Sequence, residues 1–495
     1  MKFIRTVSLV QLGKIFFTTI LMTVLVACGK QDDLDLIAPT LSITSPTPGS
    51  SFSTNRTVTI EGETSDDATV VEATLNDVAV PGADISLTGT TFTINVTLVD
   101  NANNIVVKVS DDAGNNRSLT FTLYFPQLSI PNGADAALVL GQADFTSNAP
   151  NQGGTVGAST LSGVTGTLFK RNNTVLYVPD GGNHRILGFN NTESTTNESA
   201  DIVIGQANFT SSDTGTSATR FDTPTGVYAT DSQFFVADKG NHRVLIWDSI
   251  PNNGSVEAST VIGQTDLTSN NMNCTPSTLN APSSVFVVDG KVIVADNGNN
   301  RVLIYNAIPD TNGVAADLVL GQQNLNTCQP NDSDGDGATD TLSGATLSSP
   351  GGIWTDGARL LIADTGNNRV LVWDDLSTVT TGQAADHVLG QADMTSDVIE
   401  PLPSDSGLNN PLSVTSNGNQ IFVADSGNHR VLGWNAFPTT TDKPVADSVI
   451  GQSDFSTNTT GATAGLMTTY DNVFVANEGV YVVDGNRVLR FSEPQ

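Results

Sequence analysis

The chain has 495 residues, with 51 Asp and Glu against 21 Lys and Arg for a net charge of −30. So acidic a surface repels phosphate backbones and argues against nucleic acid as a partner, and the length exceeds one ordinary domain. Aromatics are 6% of the residues and helix formers are sparse, while Gly, Thr, Ser, Asn and Val abound, the composition of short strands joined by turns.

The first residues read as an export signal. Lys2, Arg5 and Lys14 supply positive charge, residues 15–26 are apolar, and Leu25-Val26-Ala27-Cys28 closes the run. The apolar run is short for a membrane span and stops at a small-residue cleavage site. The segment resembles a bacterial lipoprotein signal, which implies removal of residues 1–27 and a lipid on Cys28. Several acyl chains anchor far more firmly than one. Gly29 rather than Asp after the Cys implies, by the same resemblance, the outer membrane, on its periplasmic or cell-surface side. Cleavage would leave 18 basic against 51 acidic residues, a net charge of −33. Residues 28–37 read as a short acidic tether.

Residues 38–126 alternate apolar and polar positions, as in Leu41/Ile43, Val58/Ile60, Phe92-Ile94-Val96-Leu98 and Leu119-Phe121-Leu123-Phe125. Period-two alternation marks strands with one buried face, and Pro46-Thr47-Pro48-Gly49 and Ala113-Gly114-Asn115 mark turns. About seven short strands predict a β-sandwich. The stretch resembles bacterial Ig-like modules, down to the D-x-A-G-N turn before the last strand, and lacks the Cys pair and Trp of antibody domains.

Residues 127–495 repeat. One motif is an apolar strand ending in Gly-Gln, at Gly141, Gly205, Gly263, Gly321, Gly390 and Gly451. The other is typified by VADKGNHRVLIW from Val236, with Asp and Arg at Asp180/Arg185, Asp238/Arg243, Asp296/Arg301, Asp364/Arg369, Asp425/Arg430 and Asp484/Arg487. Each unit reads as four strands: a around Gly226-Val227, b over 234–237, c over 244–247 and d over 260–263. Six such units predict a six-bladed β-propeller. The repeat begins with a d strand and ends with a c strand, so joining the two completes the sixth blade and removes the free edges. An aromatic four residues after each Arg, Phe189, Trp247, Tyr305, Trp373, Trp434 and Phe491, is expected to pack blade against blade.

The D-x-G-N-[HN]-R core resembles the NHL repeat, which builds six-bladed propellers. The fold class is therefore all-β, an Ig-like sandwich followed by an NHL-type propeller closed by its N-terminal outer strand. Gly-Asn is expected to supply positive φ at the b–c turn, and Asp and Arg to form a charge-assisted pair local to their hairpin. A ring has one axis, so residues repeated in every blade are structural rather than catalytic. His184, His242 and His429 alternate with Asn300 and Asn368, which suits a hydrogen-bonding surface position, and His387 falls on an outer strand. No catalytic residue is assigned.

Function is sought where the repeats differ. The d–a connections share one face with the b–c turns, are the longest loops and are rich in Thr, Ser and Asn; loops on a rigid scaffold carry binding residues. Cys274 and Cys328 lie in two of them and are expected to pair in an exported protein. In the fourth, Asp332, Asp334 and Asp336 alternate before Gly337 and Asp340, a spacing able to wrap a hard cation. It resembles the calcium loops of dockerin and thrombospondin type 3 repeats, with Ser343 where an EF-hand places Glu. The expectation is a membrane-anchored, non-catalytic platform that binds a protein or glycan through the propeller's loop face, with calcium in the acidic loop. The alternative is a propeller enzyme, a metal-dependent lyase or lactonase-like hydrolase, with its site in the central channel.

Overall fold

The computed structural model describes residues 38–46, 57–65, 68–76, 78–98, 101–125, 128–171, 174–190, 196–439, 443–476 and 478–493. The signal and tether read over 1–37, Cys28 included, lie outside them.

Among the described residues eight strands, against about seven expected, build the N-terminal module: β1 (Leu41–Ser45), β2 (Thr57–Thr64), β3 (Ala68–Leu75), β4 (Val78–Ala79), β5 (Ile85–Thr88), β6 (Thr91–Thr97), β7 (Asn101–Asp111) and β8 (Asn116–Phe125). They form two four-stranded sheets, ordered β1-β2-β6-β5 and β4-β3-β7-β8. Alternation sends Ile60, Phe92, Ile94, Ile105, Val107 and Leu123 into the shared core and their neighbours outward. The β7–β8 turn is locked by Asp111, whose two carboxylate oxygens accept from the Asn115 backbone N–H and side-chain amide, each at 2.9 Å, with Gly114 at φ 87° between them.

The remaining strands form six four-stranded antiparallel blades. Blade 2 shows the pattern: a is Pro224–Ala229, b Phe234–Asp238, c Arg243–Trp247 and d Thr260–Ile262. Blade 6 takes a, b and c from Asn472–Ala476, Gly479–Asp484 and Arg487–Phe491, and its d strand is Leu138–Leu140 from the start of the domain, paired Val488↔Leu140, Leu489↔Val139 and Arg490↔Leu138. The ring is therefore closed by the N-terminal outer strand.

Both faces of every b and c strand are covered by neighbouring blades, so these strands are buried almost throughout rather than alternating. The six c-strand aromatics are at most 2% exposed. Trp247, Trp373 and Trp434 each donate their indole N–H to a carbonyl of the c–d connection, which satisfies the polar end of a buried ring. Where the last blade meets the first, Leu138, Leu140, Tyr481, Val483 and Val488 share a core with Leu161, Leu176 and Leu187. Lys170 pairs there with Glu478, which also accepts from the Tyr481 hydroxyl.

Candidate functional site

The repeated Asp and Arg sit opposite each other at the last b–c pairing of every blade, as in Asp238↔Arg243. In the first five pairs, Asp180–Arg185, Asp238–Arg243, Asp296–Arg301, Asp364–Arg369 and Asp425–Arg430, the Arg Nε meets the Asp Oδ2 at 2.7–2.8 Å with both side chains fully buried. The sixth pair, Asp484–Arg487, is equally buried with Nη2 at 2.7 Å. Desolvation pushes the Asp238 carboxyl up to about 6 against the pull of Arg243.

The expectation of a pair local to one hairpin is corrected in its reach. A guanidinium has five N–H donors, and a buried one must place them all, so each Arg also bonds the loops on either side of its blade. Arg185 donates to Gly157 and Thr160 in the preceding d–a loop and to Phe209 in the following one. Arg301 does so to Thr275, Thr278 and Leu325, and Arg369 to Ser343, Thr346 and Met394. Arg430 bonds Gly407 and Phe455 in the same way, and Arg243 and Arg487 repeat the fork. The carboxylates reach out too: the other oxygen of Asp296 accepts the Asn280 backbone N–H at 2.7 Å. The motif is thus a tie between successive loops.

The glycine of this turn corrects a second expectation. Gly240 has no positive φ; a Cβ there would lie 2.6 Å from the Asp222 carboxyl carbon, and one on Gly298 2.6 Å from Asn280. The left-handed residue is the following His or Asn, with φ 51–54° at His184, His242, Asn300, Asn368 and His429. Nor is that residue merely a surface group. His184 Nδ1 and His242 Nδ1 accept the backbone N–H of Thr223 and Ala281 at 3.1 and 3.0 Å. Asn300 Oδ1 and Asn368 Oδ1 do the same for Ser349 and Asn410, both at 2.9 Å. Both acceptors are bonded to Cγ, which is why either residue serves. In blade 6 the shortened turn uses Asn486, whose Oδ1 accepts from Gly163 at 2.9 Å. His429 lacks this bond and packs against the Tyr470 ring instead. The Gln of each Gly-Gln motif also clamps: Gln206 Nε2 donates to His184 O and Asp213 O.

These ties place all d–a loops on the face of the b–c turns. Cys274 and Cys328 are joined there by a disulfide, Cα atoms 6.2 Å apart. In the acidic loop Asp332, Asp334 and Asp340 each bring a carboxylate oxygen within 4.8 Å of the others. Asp336 is not among them; its Oδ1 accepts from Ala338 N–H. Asp332 is fully buried and accepts from Gly335 and Gly337 N–H at 2.7 and 3.0 Å. His387 lies on an outer strand, as expected, and its Nε2 is 3.0 Å from Asp374 Oδ2.

The a strands enclose an axial channel. At the loop face it opens as a cavity of about 250 Å³ lined by hydroxyl and amide side chains, with Lys239 and Asp471 the charged groups among the described residues. Hydroxyls tie neighbouring blades around this mouth: Thr225 donates to Pro282 O, Ser283 to Pro350 O and Thr365 to Pro411 O. Deeper in, a second cavity of about 90 Å³ is ringed by Phe169, Tyr228, Phe286, Trp354 and Phe474, with Thr415 in the sixth place. The Phe169–Tyr228 and Tyr228–Phe286 ring centroids are 4.4 and 4.5 Å apart.

With this geometry, the chain can be compared with known proteins. Residues 39–127 match glucodextranase, domain B. Residues 408–434 match the NHL repeat. No curated protein matches the chain. Among solved structures, 59% of this chain aligns with 85% of a chain in a nidogen/laminin complex (16% identity, TM-score 0.32), and 70% with 97% of a streptogramin B lyase (11%, 0.36). An endo-β-1,4-mannanase from Thermotoga petrophila aligns with 19% of this chain over 21% of its own length (12%, 0.17). These likenesses concern fold alone.

Among the inner strands of the six blades, Asp471 is the departure that bears on the channel. It stands where blades 2 and 3 have Thr225 and Ser283, and accepts from Thr469 Oγ1 at 2.6 Å and Gly485 N–H at 3.1 Å. Burial raises its carboxyl above the usual range, against those hydrogen bonds. A raised carboxyl binds its proton more tightly folded than unfolded, so stability falls as pH rises from the usual carboxylate range through the raised value. Asp471→Asn is therefore expected to be more stable than the parent at about pH 7 and equal to it at about pH 3. Urea midpoints across that range check this, and a variant less stable at the higher pH contradicts it.

The sequence reading missed the channel ring. Its signal was present: an aromatic follows Leu, Val or Ile on the inner strand in TLF, GVY, SVF, GIW and NVF, against SVT in blade 5.

Proposed function

We propose that the protein is an exported lipoprotein, held in the outer membrane by acyl chains on Cys28, whose propeller loop face binds a protein or glycan without catalysing a reaction. The observation that carries this reading is the opposition of two faces. The chain enters the propeller at the a–b turns, where Gln420 accepts from Leu128 N–H at 2.7 Å and donates to Leu128 O at 3.0 Å. The long loops, the disulfide and the acidic loop are on the other face, directed away from the point of entry. Non-catalytic binding is supported by the channel lining, where Asp471 is the one carboxyl among the described residues; a metal-dependent lyase or hydrolase needs grouped His or carboxylate ligands. Leu25-Val26-Ala27-Cys28 supports the anchor. Labelled palmitate is expected in the parent and not in Cys28→Ser, and an unlabelled parent contradicts the anchor.

Calcium belongs to this proposal as a brace of the fourth loop, with Asp332, Asp334 and Asp340 as ligands. Without a bidentate Glu at the twelfth position, affinity in the range of about 0.1–1 mM is expected. Calorimetric titration is expected to show one site, lost in Asp334→Asn. No binding, or binding unchanged by that substitution, contradicts it.

A further inference from the structure

We propose that the mouth of the axial channel binds a small zwitterion of the amino-acid class, its carboxylate held by Lys239 and its ammonium by Asp471. Both charged groups line the cavity of about 250 Å³ that opens at the loop face, and both are half-buried, so solvent reaches them. They belong to blades 2 and 6. The segment of blade 1 that lies between contributes Thr165 and Thr167 to the lining, two small side chains that leave room for a ligand.

Lys239 departs from its repeat. It follows the Asp of the repeated turn, a position filled by Gly181, Asn297, Thr365, Ser426 and Gly485 in the other blades. In blades 3 and 4 that residue is tied to the next blade: Asn297 and Thr365 donate to Pro350 O and Pro411 O at 2.9 and 2.7 Å. The corresponding carbonyl for Lys239, Pro282 O, is already taken by the Thr225 hydroxyl at 3.0 Å. Lys239 has no hydrogen-bond or ion-pair partner among the described residues, whereas every other Lys and Arg of the propeller has one. Asp471 is also incompletely matched. Both of its hydrogen bonds fall on Oδ2, and Oδ1 is unpartnered without being sealed from solvent.

The chemistry of the lining selects the ligand. Asn297, Ser283 and Thr365 each commit a proton to a main-chain carbonyl, so the half-buried Asn297 and Ser283 present acceptor oxygens to the cavity. A bare cation would be repelled by Lys239 and a simple anion by Asp471. An uncharged molecule would leave both groups without a counter-charge. A molecule carrying an ammonium and a carboxylate meets both, and its N–H donors suit the acceptor-rich rim. The cavity volume lies below the range of about 300–1,000 Å³ that holds drug-sized ligands, which points to a single amino acid rather than a peptide.

The test is calorimetric titration of the full-length protein at about pH 7. The probes are glycine, L-alanine and 4-aminobutyrate, which differ in the separation of their charges, with acetate and methylammonium carrying one charge each. One saturable site for at least one zwitterion is expected, with a Kd of about 1 mM, and binding of the single ions at least about tenfold weaker. Lys239→Met and Asp471→Asn are each expected to weaken the zwitterion about tenfold. Asp471→Asn is also expected to strengthen acetate, and Lys239→Met to strengthen methylammonium, gains that a loss of folded protein would not produce. If Asp471→Asn folds poorly, Lys239→Met decides, since Lys239 has no bond to lose. No saturable binding of any zwitterion overturns the proposal. Acetate bound as tightly as the zwitterion by the parent, or zwitterion affinity unchanged in a well-folded variant, also overturns it. The titrations involve no macromolecular partner, so their failure leaves the loop-face reading intact.

Discussion

Arg301→Met is expected to lower the unfolding free energy by about 3–5 kcal/mol, the loss typical of removing one partner of a buried ion pair. The substitution strands the Asp296 carboxylate, fully buried with Arg301 at 2.8 Å, and frees three carbonyls, those of Thr275, Thr278 and Leu325. Those carbonyls belong to the loops that carry Cys274 and Cys328. The disulfide therefore ties the same two loops as the guanidinium. Its own removal is expected to cost about 2–4 kcal/mol, and the two losses should not add, since each tie limits what the other can release. Denaturant unfolding of Arg301→Met, Cys274→Ser/Cys328→Ser and the combined variant measures the coupling. A loss below about 1 kcal/mol for Arg301→Met would return the pair to the class of exposed ion pairs and contradict its role as a loop tie.

Val139→Asp is expected to cost more than about 4 kcal/mol, because it buries a charge that has no partner. Val139 is fully buried in a core with Val431, Ile450, Val480, Val482 and Leu489, although it lies more than 300 residues from each of the last three in sequence. Its strand is the outer edge of blade 6, and losing it exposes the backbone of Arg487–Phe491 as an open edge. Amide exchange should accelerate in that strand before it does in the c strands of blades 2 to 4. Uniform acceleration across the ring would contradict the view that the seam is held by this strand.

Much of the architecture was legible because the repeat is spaced regularly and its ends are complementary: a lone d strand at the start and a missing one at the end. The Asp–Arg pair was legible as well, since strand pairing across a tight turn leaves those two residues opposite each other. Its reach was not, because the carbonyls that Arg185, Arg369 and Arg430 bond are set by how the loops fold back and carry no side-chain signature. What the turn residues do was also hidden. Sequence alone does not distinguish a glycine chosen for positive φ from one chosen for lack of a Cβ, and Gly240 and Gly298 are of the second kind. The interchange of His184 with Asn300 looked like a solvent position, and only the neighbouring blade reveals the shared backbone N–H. The acidic loop was read with four carboxylates, of which three converge.

The Arg forks, Gln clamps and His or Asn bonds all converge on the same loops, so the repeat gives the loop face its fixed form, and binding there is the central claim. Site-specific photocrosslinking in the native envelope tests it most directly, with p-benzoylphenylalanine at Met272, 65% exposed on the loop face, or at Ser232, exposed at an a–b turn on the opposite one. The account predicts a discrete adduct from Met272 and none from Ser232; an adduct from Ser232 alone, or from neither position, would contradict it.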